Sequence, residues 1–175
     1  MKKIFKFLCV AISFIIISVV IYFSVLIYNV YPKTRVSEDI KIYNELIQDV
    51  VFLPKVSELN NYSDLNFKYT QNKGVFSWYS YILKVTYSTT DFETEKSKIE
   101  GNYYFDEDFS DVIEVDTFKI KLLDLEKYEL TYPKYMAFIG VSESTNEIVY
   151  IYYKDEDLDT ISDSWEEFII ENCNW

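Results

Sequence analysis

From Phe7 to Tyr31 the chain carries no charged side chain, a run of 25 residues. As an α-helix rising about 1.5 Å per residue, this run spans roughly 37 Å, more than the ~30 Å hydrocarbon core of a bilayer. The run predicts a transmembrane signal-anchor helix over 7–31, with a short basic terminus over 1–6 before it and an exported region over 32–175 after it. A cleaved signal peptide fits less well, because its apolar region runs only about 7 to 15 residues and ends at a small-x-small site. A lipoprotein setting for Cys9 fails as well, since Lys6 stands three places before it and the apolar run follows it.

Lys2, Lys3 and Lys6 precede the span, and Lys33 and Arg35 follow it. The positive-inside bias places the N-terminus in the cytoplasm and the C-terminal region outside, as a single-pass protein of the cell membrane. Tyr22, Phe23, Tyr28 and Tyr31 then lie toward the outer interface, where amphipathic rings are favoured, and Pro32 ends the helix. The span has no Gly-x-x-x-Gly pattern, and Ser13, Ser18 and Ser24 do not share a helix face, so nothing in it points to dimerisation.

Every acidic residue lies beyond Ser37. From Val36 onward there are 29 Asp and Glu against 12 Lys, because five of the 17 basic residues lie at or before Arg35, and the difference is −17. Such a polyanion is expected to repel nucleic acid and anionic lipid headgroups, and to suit a cationic partner or divalent ions. Solubility is the simplest role for the charge. With 49% hydrophobic and 19% aromatic residues, the exported region has the means to build a packed core. Ile, Asn, Lys and Tyr are abundant together while arginine occurs once, so the tyrosine excess reads as the drift of an AT-rich coding sequence rather than as a stacking surface. Cys9 and Cys173 fall on opposite sides of the membrane, which rules out a disulfide framework within one chain.

The exported region predicts an α+β domain with an antiparallel sheet of about five strands and two to three packed helices. Ser37 is the expected N-cap of a first helix with Ile40, Tyr43, Ile47 and Val50 or Val51 on one face, ending before Pro54. Lys55 to Asp64 is expected to be loop, and its Asn61-Tyr62-Ser63 fits a glycosylation sequon. Leu65 to Tyr69 and the alternating Tyr79, Tyr81, Leu83, Val85 and Tyr87 suggest a hairpin that turns at Gly74 with one face inward. Thr90 and Glu93 form an expected capping box for a second helix with Phe92 and Ile99 inward, closed by Gly101 in a left-handed conformation. Asn102 to Phe105 and Asp111 to Leu125 predict further strands, with Phe118, Ile120 and Leu122 alternating with Lys119 and Lys121. The nearly unbroken apolar runs Tyr135–Val141 and Ile148–Tyr153 predict antiparallel neighbours at the sheet centre, covered on both faces. Ile161, Trp165, Phe168, Ile169 and Asn172 fall on helical spacing and predict a last helix.

No stretch carries a specific catalytic or cofactor signature. Asp155, Asp157, Asp159, Asp163 and Glu166 occupy positions 1, 3, 5, 9 and 12 of a calcium loop over 155–166. The sixth position, however, holds the β-branched Thr160 where a sharp turn needs glycine, and Ile161 stands one place early. Asp163 and Glu166 serve equally as a helix cap and its box partner. The acids of Asp106 to Asp111 read as a solvated turn. With no histidine in the chain, imidazole acid–base work, the usual triads and His-ligated zinc are unavailable, and with no arginine beyond Arg35 the exported region lacks a bidentate phosphate clamp. A carboxylate-pair hydrolase remains chemically open. The leading expectation is a non-enzymatic, membrane-anchored domain without a cofactor that binds a protein or envelope partner and no nucleic acid; weak calcium binding and the hydrolase are the alternatives.

Overall fold

The computed structural model describes residues 2–30, 33–73, 77–107, 113–131, 134–155 and 169, with the side chains of the first helix described from Ile12 to Tyr28. The fold is α+β: a seven-stranded antiparallel sheet with three α-helices among the described residues. Helix α1 (Lys2–Val30) is followed after two residues by β1 (Lys33–Ser37). A helical excursion containing the short α2 (Tyr43–Leu46) leads to β2 (Tyr62–Lys73) and β3 (Trp78–Tyr87). Helix α3 (Thr89–Asn102) crosses to the far edge, where β4 (Ile113–Val115) and β5 (Phe118–Leu122) form a hairpin. The hairpin of β6 (Tyr135–Ser142) and β7 (Glu147–Asp155) then closes the gap, giving the order β1-β2-β3-β7-β6-β5-β4.

Two cores flank the sheet. On one face α3 lays Phe92 and Ile99 against Leu83, Ile139, Tyr150 and their neighbours, and the excursion adds Tyr43, Ile47, Phe52 and Leu53. Two tyrosine contacts pin it there: Tyr43 Oη donates to the Pro54 carbonyl at 2.8 Å and Tyr103 Oη to that of Phe52 at 3.0 Å, while the Tyr104 amide donates to Tyr128 Oη at 3.1 Å beside them. On the other face Ile82, Phe118, Ile120, Phe138, Val149 and Ile151 are buried together with Ile169, the one described residue beyond Asp155. Ile169 is helical and fully buried, so the C-terminal segment places at least this side chain on the second face. The apolar runs in β6 and β7 are therefore central and covered on both sides, because each side chain alternates into a filled layer.

Several expectations change. The sheet has seven strands rather than about five, because Lys33–Ser37 pairs with β2 and the hairpin turn at Asp116 and Thr117 divides β4 from β5. Ser37 ends a strand instead of capping a helix; the cap is Asp39, whose carboxylate accepts the Lys41 amide at 3.0 Å, and only a 3₁₀ turn and the four residues of α2 follow. Lys55 to Asp64 contains a 3₁₀ turn at Val56–Glu58 and the start of β2. β2 runs through Gln71, Asn72 and Lys73, and the turn expected at Gly74 lies outside the described residues. Both faces of β3 are covered, since Ser80 and Ile82 are buried along with Tyr81 and Leu83. Helix α3 is capped by Ser88, whose hydroxyl accepts the Asp91 amide, so Thr90 lies inside the helix. Gly101 lies in the last helical turn, and no described glycine has positive φ. Asn102 to Phe105 supplies only an isolated bridge from Phe105 to Leu123.

Among the described residues no helix is long and apolar enough to cross a membrane. The side chains from Ile12 to Tyr28 extend over roughly 25 Å at 1.5 Å per residue, short of the ~30 Å hydrocarbon thickness. The backbone of α1 is longer, 29 residues. All the side chains from Ile12 to Tyr28 are exposed, with Phe14 at 73% and Tyr22 and Tyr28 at 64%.

Candidate functional site

A cleft of about 160 Å³ opens between the C-terminal half of α3 and the strands β5 and β6. Its floor is apolar: Ile99 from the helix, Ile139 and Val141 from β6, and Phe105 from the chain leaving α3. Alternation along β5 builds one wall. Phe118 and Ile120 turn into the second core, so Lys119 and Lys121 must project over the helix-side face. The Lys121 ammonium lies 5.5 Å from the Phe105 ring centroid, a cation–π distance.

Lys96 and Glu143 form an ion pair at the cleft mouth. That hydrogen bond lowers the Glu143 carboxyl pKa and raises that of Lys96. Lys119 and Lys121 have no salt-bridge partner among the described residues. The cleft thus offers an apolar seat with two cations beside it, which suits an apolar group next to an anion. From the sequence these lysines read as the solvated side of a ladder. The lysine alternation was visible, but the wall formed by α3 and Phe105 depends on the tertiary crossing.

An acid catalyst needs a carboxyl group with a raised pKa. Glu143, one of two carboxylates on the cleft, is shifted the other way by Lys96. Of the calcium-loop ladder only Asp155 is described, fully buried at the end of β7, with its backbone amide donating to the Lys134 carbonyl at 2.9 Å. Asp157, Asp159, Asp163 and Glu166 lie outside the described residues, as do Cys173 and the acids from Asp108 to Asp111. Among the described residues no group of His, Cys, Asp and Glu is arranged to hold a metal ion.

A second constellation crosses the sheet near the end that receives α1. Tyr69, Tyr81 and Tyr152 are ladder partners, with ring centroids 5.1 Å apart for the first pair and 5.9 Å for the stacked second pair. Tyr79 and Tyr135 flank them, the latter stacked on Tyr152 at 6.2 Å. Burial, reinforced by neighbouring phenols, raises the pKa values of Tyr81 and Tyr152 far above the usual tyrosine range. The Tyr81 and Tyr152 hydroxyls stay protonated at neutral pH, so these two rings act as packing and supply no phenolate. Comparisons with protein-family models, curated proteins and solved structures find no significant match to this chain.

Proposed function

We propose that this protein is a single-pass, membrane-anchored domain, N-terminus in the cytoplasm and sheet outside, which binds a protein partner of the envelope and is not an enzyme. The observation that carries the reading is α1, whose described side chains are exposed on every side. A helix that is apolar all round requires either a protein core or hydrocarbon around it. Exposure from Ile12 to Tyr28 leaves hydrocarbon. The uncharged run from Phe7 to Tyr31 has 25 residues, which as a helix would span roughly 37 Å.

The non-enzymatic reading is supported by the absence of histidine from the sequence and by the lowered pKa of Glu143. The partner site is the cleft, where an apolar side chain flanked by a carboxylate would meet Phe105, Ile139, Lys119 and Lys121. The full chain should remain with membranes after an alkaline carbonate wash, and protease added to intact cells should digest the region beyond Pro32. Recovery in the soluble fraction overturns the anchor. A photo-crosslinking residue at Glu100 should give a partner adduct that Lys119→Glu with Lys121→Glu removes, whereas the same probe at Asp64 should not. Equal adducts at both positions overturn the cleft.

A further inference from the structure

We infer that the anchor-side end of the sheet is a second membrane contact, a cationic and aromatic rim that seats on the phosphates of anionic lipid headgroups. The inference rests on the anchor proposed above and adds an oriented surface to it. Ladder pairing runs Arg35 to Gln71, Gln71 to Tyr79, Tyr79 to Lys154 and Lys154 to Tyr135. Directly opposed residues project to the same face, so these five side chains form one line across β1, β2, β3, β7 and β6. The Lys154 ammonium sits between two rings, 5.2 Å from the Tyr79 centroid and 5.9 Å from that of Tyr135, and Lys134 lies 5.7 Å from Tyr135. One register further out stand Thr34, Asn72, half-buried Trp78 and Asp155, and beyond them Lys33 pairs with Lys73.

Among the described residues the charge at this end is opposite to that of the rest. Among the described side chains, Thr34–Arg35, Gln71–Lys73, Trp78–Tyr79, Lys134–Tyr135 and Lys154–Asp155 contain four basic residues and one acid, Asp155, whose side chain is buried. The described residues from Thr34 onward hold 13 basic and 20 acidic side chains, so the rest of them holds nine against 19. Among the described residues no other carboxylate stands in the ladder row; Asp124, Glu126 and Glu129 lie in the segment that leads into β6, and Asp49 acts on Tyr81. At the far end Asp64, Asp91, Glu143 and Glu147 gather around the opposite strand ends.

Only two residues separate Val30 of α1 from Lys33 of β1, so at 3.3–3.6 Å per extended residue the β1 end of the rim begins within about 11 Å of the helix end. The end of the sheet tied to the anchor is thus the end with tyrosine, tryptophan and lysine, the residue types favoured at the headgroup level. A net-acidic domain with this polarity meets an anionic leaflet cation-first. The expectation of simple headgroup repulsion, taken from net charge, averages over this asymmetry.

The test uses the full chain in vesicles with and without phosphatidylglycerol, with Cys9 and Cys173 replaced by serine. A fluorophore is placed on Thr34→Cys at the rim or on Asp64→Cys at the far end, and flotation verifies retention. Quenching by nitroxide-headgroup lipid should be stronger at Thr34 than at Asp64, should grow with phosphatidylglycerol, and should lose that growth in Lys134→Glu with Lys154→Glu. Lys73→Glu, at an exposed strand end, replaces that pair if it disturbs the fold. Equal quenching at both positions in a chain that floats overturns the rim and leaves the anchor intact. A chain that does not float removes both.

Discussion

Gly140 and Val149 face each other across β6 and β7 so closely that a Cβ on Gly140 would lie 2.6 Å from Val149 Cγ1. Ile120 closes the other side at 2.9 Å. Alanine in place of a strand glycine ordinarily gains about 0.5–1 kcal/mol. Here overpacking at about 1–3 kcal/mol wins, because both obstacles are branched side chains in a filled layer. Gly140→Ala should lower the urea midpoint of the detergent-solubilised chain without changing the slope. A midpoint equal to or above wild type would show that the second core has room the geometry does not provide.

Two tyrosines on the helix-side face separate a satisfied hydroxyl from an unsatisfied one. Tyr43 Oη donates to the Pro54 carbonyl, whereas Tyr87 Oη is buried without a hydrogen-bond partner among the described residues. Tyr43→Phe should therefore cost about 1 kcal/mol, the net worth of a hydrogen bond. Tyr87→Phe should be neutral or stabilising by up to about 1 kcal/mol, because it removes a desolvated group that gains nothing in return. Equal losses in parallel denaturation curves would contradict the assignment.

The same burial sets the alkaline limit of the fold. Desolvation raises the pKa values of Tyr43, Tyr87, Tyr103 and Tyr150 above the ordinary value of about 10. Between that value and the folded-state values the unfolded chain releases protons that the native chain retains, so stability falls as pH rises above about 10. At the acid end Asp91 is lowered by hydrogen bonds from Ser88 and Asn61, and Glu143 by Lys96. Their contributions are present above the ordinary carboxyl range and are lost as pH falls below it through the lowered folded-state values. The phenolate absorbance that belongs to these four should rise only together with loss of far-ultraviolet structure; ionisation of all 17 tyrosines within the intact fold would sink the prediction.

The central hairpin was legible because the runs in Tyr135–Val141 and Ile148–Tyr153 exceed what a one-sided strand can carry, and β3 was legible as a strand though its alternation hid that both faces are covered. β1 was hidden because Lys-Thr-Arg-Val-Ser has one apolar residue and owes its pairing to β2. Lys119 and Lys121 were visible as an alternating pair, yet the cleft they border exists only once α3 and Phe105 are laid beside β5. The cationic rim was illegible for the same reason: Arg35, Lys134 and Lys154 are far apart in sequence and meet through ladder register alone.

Helix α3 carries Lys96 and Ile99 into the cleft, so its starting residue sets the position of both. The Thr-Asp-Phe-Glu sequence suggests Thr90 as the cap, but Ser88 has extended backbone and its hydroxyl accepts the Asp91 amide at 3.3 Å. Thr90 instead is helical, and its carbonyl accepts the Thr94 hydroxyl at 3.0 Å. Loss of a serine cap costs about 0.5–2 kcal/mol, so Ser88→Ala should destabilise the chain by that amount. Thr90→Ala should change it by less than about 0.5 kcal/mol, since the site lies on an exposed helical surface. The reverse order of the two losses would place the helix start at Thr90, two residues later.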